Sequence, residues 1–259
     1  MQSKLVKLII VFLLVQVSLM AQSHKVYVLV HGAWHGGWCW QRVSEKLRTD
    51  GNIVYTPTLS GLGEHNNQPH DSIDLNTHIT DIVNLLNMED LHEVVLVGHS
   101  YAGVVITGVA DRIPERISKL VYLDAVLAEN GESCISVHPE QVRKEFEKDA
   151  SQHGMRSLSV RPSSLFGVSD HKDRQWVDSR LTLQPYHTFA QPLMLQHPYG
   201  NGLPLIYIAC TQPQLPVLRQ FADKARQSPQ WKYYEMKTGH DAMITRPKEL
   251  ANLLVSLSR

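Results

Sequence analysis

The stretch Val94-Val95-Leu96-Val97-Gly98-His99-Ser100-Tyr101-Ala102-Gly103 constrains this chain more than any other. Its four leading apolar residues read as a buried strand, Gly98 admits a tight turn, and the small residues at 102 and 103 open an apolar helix that continues through Ile106 and Val109. A strand that turns directly into a helix holds the residue at the turn in a strained conformation with its side chain exposed. Only small neighbours two positions away on either side let the two elements approach. The residue so held is Ser100, in the pattern G-x-S-x-G with Ala102 in the last place. The helix N-terminus behind it directs free N–H groups toward any negative charge that develops there. His99, inside the turn, reads as a packing residue.

A serine hydroxyl is a poor nucleophile unless a base takes its proton. Lys237-Thr238-Gly239-His240-Asp241 lies after the aromatic strand 231–236 and before the last helix, which makes His240 the expected base. An oxyanion needs two converging backbone donors. One is the N–H of Tyr101, and the other is the N–H of Ala33, in the loop His31-Gly32-Ala33-Trp34-His35-Gly36-Gly37 that follows the first strand. There Gly32 reads as letting the loop pass close to substrate. The third member, an acid, is absent from the loop after the penultimate strand, because no Asp or Glu occurs between Asp178 and Asp223. Asp124 ends the strand that follows the elbow helix, so its side chain should emerge at the same edge as Ser100. Asp241 is the runner-up, although adjacent residues point apart. His31 and His35 have the spacing of metal ligands but flank a glycine-rich loop, and they read as structural. No metal or cofactor is expected.

Elsewhere, strand and helix alternate at both ends of the chain. Strands are expected at 25–30, 52–56, 94–97, 119–124, 203–209 and 231–236. Trp40, Val43 and Leu47 mark a helix stopped by Gly51; Ile79, Ile82, Val83 and Leu86 mark another, capped by Asn76 or Thr77; a last helix follows Pro247. The pattern predicts an α/β fold with a mainly parallel sheet flanked by helices. Residues 125–202 do not alternate. They are polar, with an amphipathic run at Val142, Phe146 and Ala150, and read as an inserted, largely helical cap over the catalytic edge. The substrate pocket is expected to draw on Trp34, Tyr101, Trp176, Phe189, Leu193 and Met243.

With 259 residues, 43% hydrophobic and 19% charged, the chain suits one globular domain over 24–259. Lys+Arg and Asp+Glu balance at 25 each, which leaves no electrostatic footprint for nucleic acid or an anionic membrane surface. Lys4 and Lys7, the apolar run 8–20 and then Ala21-Gln22-Ser23 read as a secretory signal peptide over 1–23. The run is short of the ~20 residues a spanning helix needs. The expectation is an exported protein, periplasmic or secreted, with no stable membrane association after cleavage. Cys39, Cys134 and Cys210 allow at most one internal bridge.

The glycine and tryptophan loop His31-Gly32-Ala33-Trp34-His35-Gly36-Gly37-Trp38-Cys39-Trp40, with Gly98-His99-Ser100 and Gly239-His240, resembles the α/β-hydrolase superfamily. The resemblance is to the branch that holds plant methylesterases, plant hydroxynitrile lyases and bacterial esterases, and it covers nearly the whole mature chain, most weakly in the cap. It implies a cofactor-free serine esterase for small or hydrophobic carboxylic esters, with Ser100 and His240 in the catalytic positions. The lyases of the branch carry a lysine after the histidine and a hydroxyl residue after the first loop histidine. Asp241 and Gly32 stand there and favour ester hydrolysis over a lyase. The branch usually takes its acid from the loop where Pro213 stands, so the acid must come from elsewhere. A non-catalytic ligand-binding protein on the same fold is the other alternative, and the retention of Ser100, His240 and a plausible acid weighs against it.

Overall fold

The computed structural model describes residues 24–68 and 70–258, so the leader read over 1–23 lies outside the described residues. Six strands, β1 (Val26–Val30), β2 (Ile53–Tyr55), β3 (Val94–His99), β4 (Ile117–Leu123), β7 (Leu205–Cys210) and β8 (Trp231–Met236), form one sheet in the order β2-β1-β3-β4-β7-β8. Every pairing in it is parallel. The reason is in the sequences: β3 and β7 are buried along their whole length, as strands covered by helices on both faces must be. The outermost strand, β8, instead alternates half-buried and exposed residues along most of its length.

Side chains along each strand divide with period two between the faces. Val28, Leu96, Leu120 and Tyr207 join one buried cluster, and Leu29, Val97, Val121 and Ile208 join the other. Since all strands run the same way, the loops that carry residues 33, 100, 124 and 240 leave the sheet from one edge. The helix Leu75–Met88 is capped by Asp74, not by Asn76 or Thr77 as expected. Thr77 is the third helical residue and closes a capping box with Asp74, so two orphan donors are satisfied reciprocally.

The cap between β4 and β7 holds the helices Glu140–Gln152, His171–Asp178 and Tyr186–Ala190. It also holds an antiparallel pair that periodicity did not reveal, β5 (Ser157–Leu158) with β6 (Gln184–Pro185). Two residues per strand are too few to show a period. Cys39, Cys134 and Cys210 are all free and buried.

Two buried histidines fasten the loop between β2 and the helix Leu75–Met88. His31 Nε2 accepts the Leu59 N–H at 3.0 Å while its Nδ1–H donates to the Gly32 carbonyl at 2.8 Å. His78 donates from Nε2 to the Ser60 carbonyl at 2.8 Å, and its Nδ1 accepts from the Tyr101 hydroxyl at 3.0 Å. Burial lowers His31 to about 3 and His78 to about 4, so both are neutral in the fold. Their unfolded values lie near 6.5, so the unfolded chain takes up protons first. Stability is therefore complete above pH 6.5 and falls as the pH descends toward 4 and 3, by ~1.4 kcal/mol per pH unit for each group. Thermal unfolding followed from pH 7.5 to 5 should show a Tm that is level down to about pH 6.5 and falls below it; a Tm that stays flat to pH 5 would contradict these assignments.

Candidate active site

Ser100 sits at φ 55°, in the left-handed region, between β3 and the helix Ala102–Arg112. Two glycines make the turn possible. A Cβ on Gly98 would lie 2.7 Å from the Ala102 carbonyl oxygen, and one on Gly103 would lie 2.3 Å from that of Val126. The close approach is thus borne by Gly98 and Gly103, which explains why the alanine at 102 is harmless. Ser100 is fixed by its own backbone: its N–H donates to Leu123 at 3.1 Å, and its carbonyl accepts from Gly103 at 3.1 Å and Val126 at 3.0 Å.

Asp124, immediately after β4, is also left-handed, at φ 43°. Its Oδ2 lies 2.7 Å from His240 Nδ1, and its Oδ1 accepts the Cys210 N–H at 3.1 Å. Both side chains are buried. A carboxylate can only accept, so the imidazole proton resides on Nδ1, leaving Nε2 as the lone pair available to Ser100. The N–H that holds the Asp124 carboxylate comes from Cys210, the last residue of β7. His240 is held from behind as well: His99 Nε2–H donates to its carbonyl at 3.1 Å, and the Cys210 thiol approaches the same oxygen at 3.8 Å. Burial, with His240 and His35 nearby, keeps His99 well below the usual histidine range, so it is a neutral brace and not a second base.

The loop after β1 completes the site. Trp34 is left-handed at φ 63°, its N–H donates to the Gln184 side chain at 3.0 Å, and its carbonyl accepts from Thr182 at 2.9 Å. His35 Nδ1–H donates to the Ala33 carbonyl at 2.8 Å, which fixes the peptide between Ala33 and Trp34. Neither the Ala33 N–H nor the Tyr101 N–H donates to a described residue, and both residues line the same cavity as Ser100 and His240. Asp241 is engaged elsewhere: its Oδ2 lies 3.3 Å from His35 Nε2, with both groups buried. Burial opposes charge on His35, but the charge of the nearby Asp241 carboxylate outweighs it, and the pKa of His35 rises. His99, His240 and Asp241 bring ligand-type atoms within 4.8 Å of one another.

The cavity above Ser100 measures about 280 Å³ and is walled by Trp34, Tyr101, Phe146, Phe166 and Phe189. Trp34 and Phe189 stand where the sequence puts them, in this wall, but Trp176 and Met243 do not. Trp176 packs edge-on against Trp38 at 5.2 Å and lies between the guanidinium groups of Arg42 and Arg180, at 5.2 and 5.3 Å. Met243 is wholly buried in the core beneath the sheet's other face, and Leu193 is buried against Gly108 of the elbow helix. Sequence reasoning missed Phe166, which stacks on Trp34 at 5.8 Å and leans on His240 at 5.7 Å. It also missed His138 in the cavity wall. Both lie in the cap, outside its one amphipathic run at Val142, Phe146 and Ala150.

Gly32 also has a different reason from the one expected. A Cβ there would fall 2.8 Å from His99 Nδ1 and 2.9 Å from Ser100 Cβ, so the glycine lets the loop close on the elbow and not on substrate. Gly32→Ala should therefore displace Ser100 or His99, costing about 1–3 kcal/mol of stability and lowering kcat at least roughly tenfold, since such positions tolerate little displacement. Steady-state kinetics with a melting curve checks this; unchanged kcat would show that the contact is dispensable.

Residues 27–253 match the model of the alpha/beta hydrolase family. A carbendazim hydrolyzing esterase of Nocardioides sp. (strain SG-4G) is 38% identical over 242 residues, covering 89% of this chain and 98% of that protein. Methylesterase 10 of Arabidopsis thaliana is 27% identical over 254 residues, covering 90% and 91%. Among solved structures, an extracellular alpha/beta-hydrolase from a Paenibacillus species superposes with a TM-score of 0.75 at 24% identity, covering 90% of this chain and 98% of that one. With a nucleophile elbow at one sheet edge, a family match across most of its length and esterases as relatives, the chain belongs to the alpha/beta hydrolase family, within its esterases.

Proposed function

We propose that the protein hydrolyses small carboxylic esters through an acyl-enzyme, with Ser100 as nucleophile, His240 as general base and acid, and Asp124 as the acid that orients His240. As the Ser100 hydroxyl attacks the ester carbonyl, its proton passes to His240 Nε2, and the imidazolium is stabilised by Asp124. The carbonyl oxygen gains negative charge and accepts from the Ala33 and Tyr101 N–H groups. Collapse breaks the ester C–O bond; the leaving alkoxide takes the proton from His240. Water then repeats the sequence on the acyl-enzyme, with His240 as base, and frees the acid.

The observation that carries this reading is the buried 2.7 Å contact between Asp124 and His240 beside the left-handed Ser100. A carboxylate and an imidazole withdrawn together from water, with the second imidazole nitrogen left over, are arranged for proton transfer at a third group. The cavity adds the substrate class. At about 280 Å³ and largely apolar, with Trp34, Tyr101, Phe146, Phe166 and Phe189 in its wall, it suits an ester with one compact, flat group and a small alcohol. A carbendazim hydrolyzing esterase and methylesterases among the relatives point the same way. The reading further includes export through a leader at 1–23, which N-terminal sequencing from the native host tests. A start near residue 22 or 24 supports it, and a retained Met1 contradicts it.

An aryl-ester assay with an active-site phosphonate tests the chemistry. Wild-type protein should gain one covalent phosphonyl adduct on Ser100 and lose turnover in parallel. Ser100→Ala should take up no label, keep the fold and lose about 10⁶-fold in kcat. Labelling elsewhere, or a tenth of the turnover surviving in Ser100→Ala, would refute the nucleophile.

A further inference from the structure

Among the titratable side chains of the cavity wall that the chemistry above does not use, His138 is the buried one with an unpartnered ring nitrogen. His138 stands between the aromatic rings of Phe146 and Phe221, at 6.0 and 5.8 Å, and is 6% exposed. Its Nδ1 is buried without a hydrogen-bond partner, and neither ring nitrogen bonds to a described residue. The other charged groups lining the cavity are occupied or wet. Arg161 faces Asp149 at 3.6 Å, and the exposed Glu145 accepts from Gln141. Burial lowers His138 to about 4, so at neutral pH the ring offers one N–H donor and one lone pair.

A buried polar atom left unpaired costs about 1–3 kcal/mol, and native interiors seldom carry one without a use. An apolar residue would fill the gap between two phenylalanines without that cost. The arrangement makes sense when a ligand entering the cavity brings the missing partner. His138 packs on Phe146 and Phe221, whereas the ring that leans on His240 is Phe166, so the free imidazole is associated with a different part of the wall from the reacting atoms.

We propose that His138 is a specificity-determining residue whose imidazole hydrogen-bonds a nitrogen or oxygen on the substrate's ring, remote from the scissile ester, so that the cavity prefers esters of heteroatom-bearing aromatic groups over hydrocarbon ones. This rests on the esterase reading, and recognition can be measured apart from turnover. Three methyl esters of nearly equal shape serve as probes: methyl benzoate, methyl nicotinate and methyl 3-hydroxybenzoate. Binding to Ser100→Ala, by calorimetry, should favour one or both polar esters over methyl benzoate by roughly three- to tenfold, the worth of one neutral hydrogen bond. The double variant Ser100→Ala with His138→Phe should lose that preference while binding methyl benzoate as before, and His138→Gln should restore part of it. In the Ser100-containing enzyme the same preference should appear in KM with kcat little changed. Where His138→Phe fails to fold, His138→Leu carries the same comparison.

Equal preference with and without His138, or a loss shared by all three esters, would overturn the proposal and leave His138 a packing residue with a bound water. Selective binding without turnover of any ester by the wild-type enzyme would overturn the esterase reading while leaving the recognition role of His138 standing.

Discussion

Asp124 and His240 meet at 2.7 Å in a place from which water is excluded, and the edge of the sheet is built to make that possible. A buried carboxylate is costly unless its oxygens are hydrogen-bonded. Here one oxygen takes the imidazole N–H and the other takes the N–H of Cys210, the last residue of β7. The Asp124 N–H in turn donates to Ile208 at 2.7 Å, and the Tyr207 hydroxyl holds the Ala125 carbonyl at 2.9 Å. The acid leaves β4, is clasped by β7 and reaches a histidine that follows β8. In the proposed triad the acid stands one strand closer to the nucleophile than usual, and β7 supplies the donor that fixes it.

Around that pair the histidines form a support in which protonation state and position are tied together. His99 stays neutral and braces the His240 carbonyl; His35, drawn toward its charged form by Asp241, holds the Ala33 peptide; His31 and His78 fasten the neighbouring loop. Each holds a backbone group beside the site, and none hydrogen-bonds the Ser100 side chain or the His240 ring. The Ala33–Trp34 peptide is thereby held from both ends, its carbonyl by His35 and its N–H by Gln184 of the cap. Cap and sheet therefore share the job of fixing the loop that carries Ala33.

What the sequence revealed divides by the range of the interaction. The elbow was legible because Ser100 needs its small neighbours within three residues, and the strands were legible because parallel sheets bury continuous apolar runs. Asp124 was legible from topology alone, once the chain from 179 to 222 had no carboxylate to offer. Trp176 and Met243 were misplaced because an aromatic or a methionine near a catalytic loop has no local mark that separates cavity from core. Only packing against Trp38, or within the cluster under the sheet, decides it. Gly32 was recognised as necessary, but the atom that requires it, His99 Nδ1, belongs to a residue 67 positions away in the chain, by the difference of the two numbers. His138 gave no sign at all, since an unpaired ring nitrogen exists only in three dimensions.

The relocated acid is the claim on which the site stands, and kcat measured for Asp124→Asn beside Asp241→Asn tests it most directly. The amide fits the same space but cannot hold the His240 tautomer, so Asp124→Asn should lose about 10⁴-fold in kcat with little change in KM. Asp241→Asn should keep most of its turnover, because Asp241 faces His35. Near-normal kcat in Asp124→Asn, or the larger loss in Asp241→Asn, would contradict the account.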